Sequence, residues 1–179
     1  RDIRAALDAM DCGCRALRNN RLALAERCFT RALALHPRWH DALQRRALVR
    51  HERLNLRGAI ADYRKALQSC PECHWCWSYL ADVHRDAGNH RGAKECLDAA
   101  LLLASRKEQS PQLQEDCAQY RLDRGRTRLA LGQPRQALPD FEERVYEHAL
   151  NNLLWHRAGA EVRRARRLVA LMAGPKMGF

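Results

Sequence analysis

Ala25-Glu-Arg-Cys-Phe-Thr-Arg-Ala-Leu-Ala-Leu-His-Pro37 returns 34 residues later as Ala59-Ile-Ala-Asp-Tyr-Arg-Lys-Ala-Leu-Gln-Ser-Cys-Pro71. Ala25, Phe29, Ala32 and Pro37 meet Ala59, Tyr63, Ala66 and Pro71, and Ala93, Leu97 and Ala100 carry the frame one step further. Several sets of positions repeating in one phase mark a tandem unit. A period of this length is that of helical hairpins stacked on copies of themselves. Each hairpin leaves an apolar face that only a neighbour covers, and the stack presents an extended surface. Such a surface favours binding over catalysis.

The alanine phase sets three units, residues 6–39, 40–73 and 74–107. Each divides into a first helix, a short turn and a second helix. In the third unit Trp77, Leu80, Ala81 and His84 share one helical face. The turn follows at Asp86-Ala-Gly-Asn-His90, where Gly88 is suited to positive φ after a helix end. Helices that cross closely need small side chains at the contact, which accounts for the alanines. Phe29, Tyr63 and Trp77 are expected to fill the spaces between hairpins, and Pro37 and Pro71 to end one helix and redirect the chain.

On these residues the chain resembles the tetratricopeptide repeat (TPR) family. The family pattern Trp-x2-Leu-Gly-x2-Tyr is met as Trp77-x2-Leu80-Ala81-x2-His84, and Ala-x3-aromatic recurs as Ala25-x3-Phe29 and Ala59-x3-Tyr63. Ala9 and Leu43 stand where that tryptophan would, and Ser105 where the third proline would. The resemblance implies an all-α, right-handed α-solenoid closed by a C-terminal capping helix. Ala137-x3-Phe141, with Gly125 twelve residues before Ala137 as Gly13 is before Ala25, marks a fourth unit at 118–151. It begins about ten residues late. The intervening 108–117, with Ser110-Pro111 and mostly polar residues, reads as a longer loop or a second helix overrunning into one. Leu154, Ala158, Val162, Ala165, Leu168 and Met172 then give residues 153–173 one apolar helical face.

The chain of 179 residues carries 32 Lys and Arg against 21 Asp and Glu, for a net charge of +11. That balance attracts acidic partners. Arg157, Arg163, Arg164, Arg166 and Arg167 make the terminal helix its densest basic face, expected to be solvated surface of a cap, with a membrane surface, RNA or an acidic partner as the functional alternatives. No apolar run approaches the ~18 residues of a membrane span. The chain begins at Arg1, so it reads as part of a larger polypeptide or a processed form. Most of its eight cysteines take the places of small apolar residues on helix faces, which reads as free thiols in a reducing, cytoplasmic setting; ciliary and organellar locations stay open.

Catalysis finds little footing. There is no glycine-rich phosphate loop, no nucleophile elbow and no His-Glu-x2-His, and no cofactor is expected. Cys70, Cys73, His74 and Cys76 have the types and spacing of zinc ligands, but the phase starts a helix there, so packing is the preferred reading. In TPRs the first helix of each unit lines the binding groove. The resemblance then implies groove positions at Leu7, Met10, Cys14, Gln44, Leu48, His51, Trp75, Ser78, Asp82, Arg85, Gln119, Leu122 and Arg126. This mixture suits an extended peptide or a partner helix. The carboxylate clamp of chaperone-binding TPRs would fall on Met10, Cys14, Arg45, Trp75 and Tyr79, of which only Arg45 is charged. Shifting the clamp by a repeat puts Asp11 and Asp41 where its Asn and Lys belong. The expected function is a non-enzymatic protein-interaction scaffold. An RNA-binding helical repeat, a structural ciliary or microtubule-associated protein and a co-chaperone-type module are the alternatives.

Overall fold

The computed structural model describes residues 2–106, 110–147 and 155–172, and every regular element among them is α-helical. The chain divides into two compact units, Arg1–Asn89 and His90–Phe179. The first holds α1 (Asp2–Arg18), α2 (Leu22–Leu35), α3 (His40–Glu52), α4 (Leu56–Ser69) and α5 (His74–Asp86), each packed on the next, with α3 also touching α5. The second holds α6 (His90–Ser105), α7 (Pro111–Ala130), α8 (Pro134–Glu147) and α9 (Trp155–Met172), again packed in succession. The helices of the third expected hairpin, α5 and α6, thus fall in different units.

The positions that carry the 34-residue frame are the core. Ala25, Phe29, Ala32, Ala59, Tyr63, Ala66, Ala93, Leu97, Ala100, Ala137 and Phe141 are all fully buried. Gly13 shows why a small residue is needed opposite the aromatic. A β-carbon there would lie 2.4 Å from the Phe29 ring, and one at Gly125 would lie 2.5 Å from Phe141. Trp77, expected to fill a gap between hairpins, is only partly buried, and its indole N–H donates to the carbonyl of Pro71 at 2.9 Å.

The turns obey the same ruler. Positive φ occurs at Asn20, Leu54, Gly88 and Gly132, that is, at intervals of 34, 34 and 44 residues. At each, two backbone bonds close the preceding helix, as Leu54 N–H donates to His51 O and Asn55 N–H to Arg50 O, both at 2.8 Å. This pair of bonds satisfies carbonyls a helix end would otherwise leave open.

The described part of the extra ten residues does not loop out as expected. From residue 111 they lengthen α7 to 20 residues, against 13 in α3 and in α5. Ser110 Oγ accepts the Leu113 N–H at 3.2 Å, and Pro111 opens the first turn. A capping serine followed by proline starts a helix, and Leu113 and Cys117, four residues apart, bury one side of it. Residues 107–109 lie outside the described residues, as do 148–154 and 173, which held the end of the fourth unit and the edges of the terminal helix.

On α9, Ala165 is fully buried and Val162 packs beside it against Leu122, Ala137 and Phe141. Arg126 reaches Glu161 at 3.3 Å and Arg166 reaches Glu142 at 2.8 Å, fixing α9 to α7 and α8. The apolar stripe does not stay covered to its end. Met172 is 64% exposed beside Leu171. Leu154 and the side chains of Arg157 and Ala158 lie outside the described residues.

Candidate functional site

Residues three, four and seven apart share a helix face, and α5 uses this to set Trp75, Ser78, Tyr79 and Asp82 in one row. Trp75 and Tyr79 are 43% and 42% exposed, although both are large aromatics in a helix whose other side is buried. Tyr79 is held in place by stacking on the buried Tyr63, with ring centroids 6.2 Å apart and planes 26° from parallel. Burial pushes the Tyr63 hydroxyl above its ordinary range, with the nearby Tyr79, Asp82 and Glu52 adding to the shift. On α3, Gln44, Leu48 and His51 form the corresponding row, each partly buried. His51 Nε2 meets Asp86 at 2.7 Å and ties α3 to α5. Asp82 and Arg85 pair with each other at 2.5 Å.

Other expected groove residues are placed differently. Met10 is buried in the core that joins α1 to Phe29, Leu33 and Leu43. Leu122 is buried beneath α9 with Phe141 and Ala165. Cys14 is partly buried against the same core as Met10. Arg126 is exposed but engaged by Asp123 and Glu161, while Gln119 donates to Asp123 at 2.8 Å. Leu7 is half exposed and lines an apolar hollow with Ile3, Pro37 and Trp39. Tyr79 lies one turn beyond Trp75, so the helical period alone sets it on the same face as that tryptophan.

Part of the positive charge is internal. Asp62, almost fully buried, takes a bidentate bond from Arg46 at 2.7 and 2.8 Å and a further bond from Arg50 at 2.8 Å. Asp140 repeats the arrangement with Arg124 at 2.6 Å and Arg128 at 2.7 Å, and Arg124 continues to Asp98 at 2.9 Å. The first unit puts Cys12 and Cys28 at the places of Arg46 and Asp62, with sulfurs 2.8 Å apart. Burial, then hydrogen bonding to Cys12, pushes the Cys28 thiol up to about 11, so it stays protonated. Glu26 accepts from Arg50 and Arg53; burial raises its carboxyl, but the two guanidiniums outweigh this and hold it below the ordinary range. Asp98 is likewise raised by burial and lowered further by Lys94 and Arg124. Arg163, Arg164, Arg166 and Arg167 remain on the exposed side of α9.

The start of α5 departs from the expected free thiols. Cys73 and Cys76, both buried, are joined as a disulfide with Cα atoms 5.3 Å apart. The histidine beside them is His40 of α3, whose Nε2 lies 3.6 Å from Cys76 Sγ. His74 is buried instead against the edge of Trp75, with ring centroids 4.8 Å apart, and Cys70 is a partly buried free thiol. Among the described residues His40, Cys73 and Cys76 form the one group of metal-type donors that converges. The ruler could have pointed to His40, since it precedes His74 by 34 residues.

Helical hairpins, repeating cores and repeating turns make the architecture plain, and the tetratricopeptide repeat family profile matches residues 11–72 and 80–149. The chain belongs to the tetratricopeptide repeat family. Solved TPR-like structures share the fold at low identity. The MamA protein superposes with a TM-score of 0.70 at 13% identity over 98% of this chain and 97% of its own. The TPR2B domain of yeast Sti1, in its complex with pHsp70, gives 0.62 at 19% identity over 69% and 98%. The first TPR of Spaghetti (RPAP3), bound to the HSP90 peptide SRMEEVD, gives 0.58 at 21% identity over 73% and 93%. No curated protein sequence matches the TPR chain. Among the described residues no helix is long and apolar enough to cross a membrane.

Proposed function

We propose that this TPR chain is a protein-interaction module that takes an extended peptide or partner helix against the exposed face of α3 and α5. The observation that carries this reading is the exposed aromatic pair, Trp75 and Tyr79, on the row that TPRs turn toward their ligands. Exposed Trp and Tyr held in fixed positions are the residue types that anchor protein interfaces. Tyr79 is fixed by Tyr63 before any ligand arrives, which lowers the ordering cost of binding. Sti1 and RPAP3 support peptide recognition by this fold, each being complexed with a chaperone or a chaperone peptide. The ligand chemistry here differs from a carboxylate clamp. Met10 is buried and Trp75 and Tyr79 offer apolar surface at the clamp places, so an apolar or aromatic side chain is the favoured anchor. A nucleic-acid reading is weaker than the net charge implies, because Arg46, Arg50, Arg53, Arg124 and Arg128 face buried or half-buried carboxylates.

The test is selection of binding peptides from a displayed library, followed by fluorescence anisotropy with the selected peptide. Trp75→Ala and Tyr79→Ala should each weaken binding by about 30-fold, the equivalent of losing a ~2 kcal/mol anchor. Reversing Arg163, Arg164 and Arg167 to Glu should leave the affinity within about twofold. Binding insensitive to both aromatic changes but abolished on α9 would reject the proposal.

A further inference from the structure

We propose that, with the Cys73–Cys76 pair reduced, the start of α5 and the start of α3 form a zinc site with His40 Nε2, Cys73 Sγ and Cys76 Sγ as its protein ligands. The three donor atoms lie within 4.8 Å of one another, and both sulfurs are buried. Tetrahedral zinc with Zn–S near 2.3 Å and Zn–N near 2.0–2.1 Å sets sulfur and nitrogen about 3.6 Å apart. Cys76 Sγ and His40 Nε2 already stand at 3.6 Å. Two thiolates on the same ion lie ~3.8 Å apart by the same geometry, which side-chain rotation about Cα atoms 5.3 Å apart accommodates once the disulfide is open.

A second feature points the same way. His40 Nδ1 lies 3.2 Å from the Asp41 carboxylate. Metal-bound imidazoles characteristically donate their second N–H to such a partner, which fixes the tautomer and raises the basicity of the ligating nitrogen. Asp41 thus leaves Nε2 of His40 as the acceptor facing the sulfurs. Cys73 is the cap residue of α5 and Cys76 lies in its first turn, where the helix N-terminus favours thiolate over thiol. Soft sulfur with one imidazole selects zinc over hard cations such as magnesium or calcium. On binding, two S–H protons pass to solvent, two Zn–S bonds and one Zn–N bond form, and water takes the fourth position. No electron is transferred to or from the metal. Oxidation of the pair removes both thiolates, so the disulfide and the zinc site exclude each other.

The experiment uses the whole chain, reduced anaerobically with a water-soluble phosphine. The phosphine gives two electrons to the disulfide and becomes its oxide, water supplying the oxygen and the two thiol protons. After desalting, the protein is titrated with Co2+ and then Zn2+. We expect one equivalent of Co2+ with a thiolate-to-metal charge-transfer band, displaced by one equivalent of Zn2+, and no such band before reduction. Cys73→Ser should abolish it, His40→Ala should weaken binding at least tenfold and Asp41→Ala about tenfold; Cys70→Ser should change nothing. Far-UV circular dichroism of each variant checks the fold. If Cys73→Ser unfolds, His40→Ala and Cys70→Ser, both at partly exposed residues, still decide the case. The site is overturned if reduced wild type gives no charge-transfer band. It is equally overturned if the band survives Cys73→Ser in a folded protein, if His40→Ala binds as tightly as wild type, or if Cys70→Ser abolishes binding.

Discussion

Replacing Gly13 by alanine sets two large effects against each other, and the structure decides the sign. In an unobstructed helix the change gains about 0.8–1 kcal/mol, because glycine loses more backbone freedom on folding. At Gly13, however, the new β-carbon would stand 2.4, 2.7 and 2.9 Å from three atoms of the Phe29 ring. Carbon atoms rest at ~3.5–4.0 Å, so the ring must retreat by about 1 Å, and Phe29 has no exposed surface through which to do so. Overpacking of this kind costs ~1–3 kcal/mol. The net expectation is a loss of about 1 kcal/mol. Gly159 on α9 is the internal control, since the nearest atom to its added β-carbon is the mobile tip of Arg163 at 3.4 Å. Gly159→Ala should therefore gain ~0.5–1 kcal/mol. Urea unfolding followed by circular dichroism and tryptophan fluorescence measures both. The chain also contains a remedy: the third unit combines Ala81 with Leu97 at these two places. Phe29→Leu added to Gly13→Ala should thus cost at least 0.5 kcal/mol less than the sum of the single changes. Stabilisation by Gly13→Ala as large as that by Gly159→Ala would refute the close-approach argument.

Three further outcomes are expected. Leu54 holds φ of +61° at 80% exposure, so Leu54→Gly should relieve strain without losing packing, for a net gain of ~0.5–1 kcal/mol in chemical unfolding. Asp62→Ala leaves Arg46 and Arg50 facing a vacated buried position and should destabilise by about 3 kcal/mol in the same assay, near the lower end for a broken buried pair. Glu26 has a folded pKa below its ordinary 4.5, so its contribution is complete above that value and is lost as pH falls through the lower folded one. Glu26→Gln should accordingly flatten the acid limb of stability against pH.

Much of this fold was legible because a repeat states its core several times over. Ala25, Phe29, Ala32 and their copies are buried for the reason they recur: the same helix–helix approach is made again. The turns followed the ruler through a residue type that varies, Asn20, Leu54, Gly88 and Gly132, since the backbone closure and not the side chain is what repeats. Where the frame slipped, periodicity could not distinguish a loop from a longer helix, and the Ser110-Pro111 start decided it. The site was less legible. Phase placed Gln44, Leu48, His51, Trp75 and Ser78 on α3 and α5, but it does not record which neighbouring helix covers a given face. Met10 and Leu122 are buried because they sit at particular cores of their units, α1 with Leu43 and α9 over Phe141. The arginines defeated composition for a related reason, since net charge does not record which of them face Asp62 and Asp140. His40 was missed because it reaches Cys76 from 36 residues away, beyond any local spacing rule.

The central claim, that ligands dock on α3 and α5 around Trp75 and Tyr79, is tested most directly by hydrogen–deuterium exchange with and without the selected peptide. The account predicts added protection in residues 40–52 and 74–86, lost in the Trp75→Ala, Tyr79→Ala double variant. Protection confined to residues 155–172, with 40–52 and 74–86 unchanged, would contradict it.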